Sequence, residues 1–315
     1  MKTALISIAL LIAFTMSGLP FGSEGHKAIA EAAADRLTPQ TKQKVLTILG
    51  GNNLAQAMAK AATWADDIKP GHSLSSTPEA IAFNKVHHDN REWHFVDLPL
   101  GATNYSSLMN SRFCPDNDIV HTLNACIAVL EGQNHTQSKR DALRWIIHLT
   151  GDIHQPLHVA CGYYDYHEGQ VPTLVTDPSQ AITLESDHGA NWLHFAGQEL
   201  HGYWDSTMVN HIKSAAHQDL AVVIANHLNQ ASYPTSGDRH KWAAAWATDA
   251  LPAARRAYQG ITFGEASEQG HSWVVKVTLP DQPTPYLETH RALVEQQLAK
   301  ASYRLAALLN AIHWN

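Results

Sequence analysis

Apolar residues return every three or four positions along most of this chain, and the runs that do so are bounded by helix punctuation. Over residues 25–37, Ala28, Ile29, Ala32 and Ala33 share one face. Thr38-Pro39 then reads as an N-cap followed by a first-turn proline, opening a helix that stops at Gly50-Gly51. The Ala-rich stretch 54–68 predicts another helix, ended by Pro70-Gly71. Residues 119–130 and 137–153 are amphipathic, and further helices are expected over 199–212, 216–230, 241–258 and 286–314. In the last of these Leu287, Leu293, Val294, Leu298, Leu305, Leu308 and Ile312 recur long enough to predict a core helix.

Polar stretches containing Gly or Pro at 73–90, 162–189 and 232–238 read as loops. Only 273–279 (WVVKVTL) alternates like a strand. No repeat or composition break divides the chain. The pattern predicts a single, mainly α-helical domain over 21–315, with long loops.

Residues 1–20 stand apart. Lys2 precedes an apolar run over 4–14 that is too short to span a bilayer, and small residues follow at Ser17 and Gly18. This is the layout of a secretory signal peptide, so the mature chain is expected to be secreted or periplasmic, with no membrane span. An oxidising compartment then permits one disulfide among Cys114, Cys126 and Cys161, most simply Cys114–Cys126 with Cys161 left over.

Composition narrows the function classes. A charged fraction of 16%, below the usual ~25%, excludes a disordered solvating chain. Lys and Arg number 22 against 29 Asp and Glu, which argues against binding a polyanion through a broad basic face. The 21 histidines are the outlier, and histidine is the commonest metal ligand.

The densest chemistry lies at 145–159, WIIHLTGDIHQPLHV. His148 and Asp152 stand at i and i+4 and share a helix face, with His158 beyond Pro156, a proline expected to re-aim the helix. Burying such groups among Trp145, Ile146, Ile147 and Leu149 is costly unless they are paired or bind metal. A second His-x3-Asp pair, His201 and Asp205 in LHGYWDS, repeats the spacing. One such pair alone reads more simply as a surface salt bridge; two, each flanked by Trp, favour metal. His26, Asp66 and His94 each have an ordinary reading in isolation, as a helix cap, a solvated carboxylate and a core histidine.

Taken in order, Gly-His at 25–26, Trp-Ala-Asp at 64–66, His-Phe-x-Asp at 94–97, His-x3-Asp-x5-His at 148–158 and Asn-x9-His-x2-Trp-Asp at 191–205 resemble something specific. They are similar to the zinc-dependent, single-strand-specific nucleases of the S1/P1 type, whose superfamily includes zinc-dependent bacterial phospholipases C. The resemblance runs from about Phe21 to Asp205; the C-terminal third adds core rather than motif. It implies a mainly α-helical fold with three zinc ions, and at least two, in a cleft. Carried over by position, Asp66, His94, His148 and Asp152 correspond to ligands of the first zinc. His158, His201 and Asp205 correspond to ligands of the second. His26, with Asp152 as a bridging carboxylate, corresponds to the third. In the family the mature chain begins with Trp, whose amino group and carbonyl complete the third site; Phe21 stands in its place. Asp205, rather than Glu, points to the nuclease branch.

The resemblance further implies a secreted endonuclease that hydrolyses single-stranded DNA or RNA to 5′-phosphorylated products, with 3′-nucleotidase activity a further expectation. Asp66 and Asp152 are then catalytic through the metals. Lys69 takes the place of a usual Arg beside the phosphate, keeping a point charge without a bidentate fork. Phe95 and Asp97 take positions that stack on a nucleobase and bind its edge, an arrangement that suits unstacked single strands. Three divalent ions would outweigh the three aspartates locally, so an acidic protein can still attract a phosphate. Asp187 and Asn191 are expected to orient a ligand, His154 to sit behind the ligands or at the surface, His87 and His88 to be surface residues, and Cys161 to be a buried thiol or half of a disulfide. A phospholipase C-like phosphodiesterase and a non-catalytic periplasmic zinc-binding protein are the alternatives. The latter has no use for Phe95 and Asp97. No stable protein partner is indicated.

Overall fold

The computed structural model describes residues 21–228, 233, 235–281 and 285–315. The fold is mainly helical, and its centre is a stack of Ala-rich and amphipathic helices: α1 (Gly22–Asp35), α2 (Pro39–Leu49), α3 (Leu54–Asp67), α4 (Pro78–Val86), α5 (Ile119–Leu130) and α6 (Lys139–Asp152). α3 packs between α1 and α6, and α5 lies on α6. Small residues make the close approach of α1 and α3 feasible: Ala28, Ala32, Ala33, Ala61, Ala62 and Ala65 are all buried there. The helix starts use the expected chemistry. Thr38, Asn53, Asp118 and Ser138 each accept a backbone amide from two or three residues on, with Pro39 at the first helical position of α2.

The remaining helices are the single turn α7 (Pro178–Ala181), the short α8 (Leu200–Gly202), α9 (Met208–Ala216), α10 (Leu220–Leu228), α11 (Trp242–Tyr258) and α12 (Tyr286–Ala311). α12 packs against α1, α6, α9 and α10, burying Leu293, Val294, Leu298, Leu305 and Leu308 as its periodicity requires. Between α8 and α9 the helix widens into a π turn over Tyr203–Thr207. Buried apolar residues from Phe21 to Ile312 form one contiguous cluster.

Small strands trim the helical body. β1 (Leu98–Pro99) pairs in parallel with β2 (Ala160–Cys161); β3 (Tyr163–Tyr164) lies between β4 (Leu174–Val175) and β5 (Glu185–Ser186). A four-stranded sheet joins β6 (Leu193–Phe195), β7 (Gln198–Glu199), β8 (Thr262–Gln269) and β9 (Ser272–Thr278) in the order β7-β6-β9-β8.

Several expectations are corrected. Residues 78–86 form α4 rather than a loop; only Ala80 and Phe83 are buried on it, too few to print a helical period. β8 is a mostly polar edge strand with a bulge between Phe263 and Ala266, so it does not alternate. The helix carrying His148 ends at Asp152, and Pro156 opens a separate 3-10 turn, Pro156–His158. The Cys114–Cys126 disulfide is not formed. All three cysteines are buried free thiols: Cys114 lies near the Tyr105 carbonyl, while the Cys126 sulfur takes the Gln137 amide. Residues 1–20, where the signal peptide was expected, lie outside the described residues. No described helix is long and apolar enough to cross a membrane.

Candidate metal centre and nucleic-acid cleft

The ends of α3 and α6 and the 3-10 turn Glu92–His94 converge on one buried point. Asp66 closes α3, and His148 and Asp152 occupy the last turn of α6. His94 Nδ1 lies 2.9 Å from Asp152 Oδ2 and 3.0 Å from His148 Nε2, while His148 Nε2 is 3.0 Å from Asp152 Oδ2 and 3.7 Å from Asp66 Oδ1. His26, from α1, stacks on the His148 ring with centroids 4.2 Å apart and places Nε2 3.1 Å from Asp152 Oδ1. It fits because residue 151 is glycine: a Cβ there would meet the His26 ring at 2.6 Å. A mid-helix glycine costs about 1 kcal/mol in propensity, and the space for His26 is what it secures here.

The second convergence uses irregular backbone. His158 comes from the 3-10 turn, His201 from α8 and Asp205 from the π turn. His201 Nε2 stands 3.0 Å from Asp205 Oδ2, and His158 Nε2 is 4.0 Å from Asp205 Oδ1. The other carboxylate oxygen is held firmly. Asp205 Oδ1 accepts the Gln155 side-chain amide at 2.6 Å and the Phe21 backbone amide at 3.2 Å. Gln155 Oε1 in turn accepts the Leu157 amide at 2.6 Å, so this buried side chain ties the ligand-bearing turn to the π turn.

Three triads among the described residues could each hold a metal ion: His26, His148 and Asp152; Asp66, His94 and His148; and His158, His201 and Asp205. Two features show that the donor sets fit one. His148, His158 and His201 each give Nδ1–H to a backbone carbonyl, of Ala62 at 2.7 Å, His94 at 2.9 Å and Gly189 at 2.7 Å respectively, which turns Nε2 inward, the nitrogen left to meet a metal. Meanwhile His26 Nε2, Asp152 Oδ1, His158 Nε2 and Asp205 Oδ2 are buried without an aligned hydrogen-bond partner. Orphaned polar atoms in a protein interior are expensive, and a cluster of nitrogen and oxygen lone pairs aimed together is what Zn²⁺ requires.

Electrostatics divides the groups. Burial works against charge on Asp66 and Asp152, yet Lys69 beside the first and His148 beside the second hold both well below the usual carboxylate range. Burial pushes His94 down to about 3. His201 is raised to about 9, because the Asp205 carboxylate outweighs burial.

Above both groups opens a cleft of about 480 Å³ whose walls include Lys69, Arg91, His94, Phe95, Asp97, His158, His188, Asn191 and His201. The sequence-predicted Lys69, Phe95 and Asp97 therefore share one cavity with three of the predicted ligands. Lys69 Nζ is also 2.7 Å from Asp66 Oδ1. Asp97, raised by burial, takes a long 3.4 Å hydrogen bond from Ser186. Segment 94–98 runs alongside the second ligand turn: Val96 N and Leu98 N donate to the carbonyls of His158 and Val159 at 2.9 and 3.1 Å.

A family model described as S1/P1 Nuclease matches residues 21–313. The chain belongs to the S1/P1 nuclease family. Among its relatives, Nuclease P1 of Penicillium citrinum is 25% identical over 303 residues, covering 93% of this chain and 98% of that protein. Nuclease S1 of Aspergillus oryzae is 23% identical, covering 93% of this chain and 91% of its own length. Endonuclease 2 of Arabidopsis thaliana is 23% identical with 93% and 90% covered. Membership places the chain among the hydrolases of phosphodiester bonds.

Other expected residues fall outside the two groups. His154 is buried and faces away from them: Nδ1 donates to Thr150 O at 2.7 Å and Nε2 accepts from Arg304 at 2.9 Å, tying α6 to α12. His88 is exposed, whereas His87 is half-buried against Phe83 and Trp93. The Cys161 thiol is buried in β2, outside all three triads. Asp187 lies behind His201 rather than in the cleft. Sequence reasoning missed Gln155, Gly151, Arg91 and His188. Gln155 and Gly151, both inside the ligand segment, carried a local signal, the first as a polar residue among apolar ones and the second as a glycine within a predicted helix.

Proposed function

We propose that this chain is a zinc-dependent endonuclease that hydrolyses single-stranded nucleic acid, leaving 5′-phosphorylated ends, with 3′-nucleotidase activity on the same site. The observation that carries this reading is the presence of an aromatic side chain, Phe95, in the same cleft as His94, His158 and His201, which belong to two clusters of imidazole and carboxylate groups. Asp66, His94, His148, Asp152 and His26 would hold two zinc ions that share Asp152, and His158, His201 and Asp205 a third. Bound zinc supplies Lewis acidity toward a phosphodiester and a source of hydroxide at neutral pH.

The side chains do the rest. Phe95 stacks on an unpaired base and Asp97 accepts from its edge, which a duplex would hide. Lys69 and Arg91 bring positive charge to the phosphate from the cleft wall. The acidic surface elsewhere limits binding of long polyanions to this cleft. Residues 1–20 are read as a leader whose removal yields a secreted domain spanning 21–315. A free amino group at Phe21 would then lie beside Asp205.

The test is elemental analysis and N-terminal sequencing of the secreted protein, with hydrolysis assayed on single-stranded DNA, duplex DNA and phosphatidylcholine. The expected result is up to three zinc ions and preference for the single strand. Hydrolysis of the lipid alone, or zinc without hydrolysis, would replace the reading with a phospholipase or a zinc-binding protein. Phe95→Ala should keep its zinc and raise KM for oligonucleotides by roughly tenfold, in line with ~1–3 kcal/mol for one stacked base; an unchanged KM would remove the stacking role.

A further inference from the structure

Tyr258 ends α11, in the part of the chain that carries none of the motif, yet its hydroxyl reaches the second group by a short relay. The hydroxyl donates to the Asp187 carboxylate, 2.9 Å from Oδ1 and 3.0 Å from Oδ2. Asp187 Oδ1 also accepts the backbone amides of Ala190 at 2.8 Å and Gly162 at 3.3 Å. Asp187 and Tyr258 are both deeply buried.

The backbone that this carboxylate pins is strained. His188, Gly189 and Ala190 have φ of 53°, 63° and 65°, three consecutive residues in left-handed conformation, two of them with a side chain. Such a run costs ~1–2 kcal/mol for each non-glycine residue and persists only where its surroundings impose it. Its product is the placement of one atom. The Gly189 carbonyl accepts His201 Nδ1–H at 2.7 Å, and it can sit there because a Cβ on residue 189, which would come within 2.2 Å of the Leu157 carbonyl, is missing. The same loop brings Ala190 O to the His201 amide at 3.4 Å.

We propose that Tyr258, acting through Asp187, is a positioning residue for the second metal group: it locks the 188–190 loop so that Gly189 fixes the tautomer and aim of His201. The proposal rests on the zinc-nuclease reading and extends it to a residue with no place in the motif. Without the Tyr258 hydroxyl, the carboxylate loses the donor that bridges its two oxygens, and the loop can relax toward ordinary φ. His201 would then be free to rotate Nε2 away from His158 and Asp205. A hydrogen bond that merely packs α11 against the loop predicts lower stability and nothing about metal.

The deciding experiment compares wild type with Tyr258→Phe and Asp187→Asn, each purified with its zinc and equilibrated against graded chelator, with remaining zinc counted by elemental analysis. The expected result is that one zinc equivalent leaves Y258F at a chelator concentration about tenfold or more below wild type, while the others leave where they do in wild type. D187N should show the same selective loss, and it serves as the readout should Y258F fail to fold. Release curves that superimpose on wild type, whatever happens to thermal stability, overturn the positioning role alone. A wild-type chain that binds no zinc overturns the underlying reading and the proposal with it.

Discussion

The two ligand groups sit beneath one cleft but are built in opposite ways. In the first, Asp66, His148 and Asp152 project from the last turns of two regular helices, and the i, i+4 spacing of His148 and Asp152 alone brings them together. In the second, His158 rides a 3-10 turn, Asp205 a π turn, and His201 takes its aim from a loop with positive φ. A helix places side chains by its own backbone bonds. A π turn and a left-handed loop need outside help, which here comes from Gln155, the Phe21 amide and Asp187. The first group should therefore depend mainly on its ligands and on the space Gly151 leaves for His26, and the second also on polar supports outside the ligand set.

The sharpest break is Asp152→Ala. Asp152 faces His26 with one oxygen and His94 and His148 with the other, so its loss should empty two zinc positions and abolish hydrolysis. Full zinc content in D152A would mean that the carboxylate does not bridge. A smaller and more selective effect is expected of Gln155→Ala. It strips a charge-assisted hydrogen bond from Asp205, worth ~1.5–3 kcal/mol, and should weaken one zinc by ten- to a hundredfold while leaving the other two unchanged. Uniform loss of all zinc from Q155A would show that the groups are not independent.

A further effect is on folding and concerns the scaffold of the second group. Burial raises the Asp187 carboxyl to about 7. A folded pKa above the unfolded value of ~3.9 means that the native state keeps a proton the unfolded chain gives up. The stabilisation is complete below pH 4 and is lost as pH rises through about 7. Chelator-treated wild type should thus lose stability relative to D187N by about 1 kcal/mol per pH unit across that window, measured by denaturant titration. Parallel curves for the two proteins would show that Asp187 does not titrate there.

This contrast also explains what could be read in advance. α5 and the start of α2 lie where apolar spacing and capping residues put them, and every ligand position in the three triads is a motif residue. His-x3-Asp is a local pattern, so a single sequence displays it. The supports are not local. Tyr258 lies 71 residues from Asp187, and Gln155 lies 50 from Asp205; no periodicity links them. The disulfide failed for the same reason, since closeness in sequence between Cys114 and Cys126 did not outweigh the separate partners each sulfur has in the core. β8 was invisible because an edge strand needs only one neighbour, and a polar one satisfies it.

The pairing of segment 94–98 with residues 158 and 159 has an outcome for how such an enzyme can diversify. Because Phe95 and Asp97 alternate with amides that grip the ligand turn, inserting or deleting one residue there would slip the register and swing the platform inward, dragging His158 with it. Altered base preference would then arise by exchanging side chains on an immobile track, or on the facing wall at His188, whose backbone is likewise tied to the second group through the Gly189 carbonyl and His201.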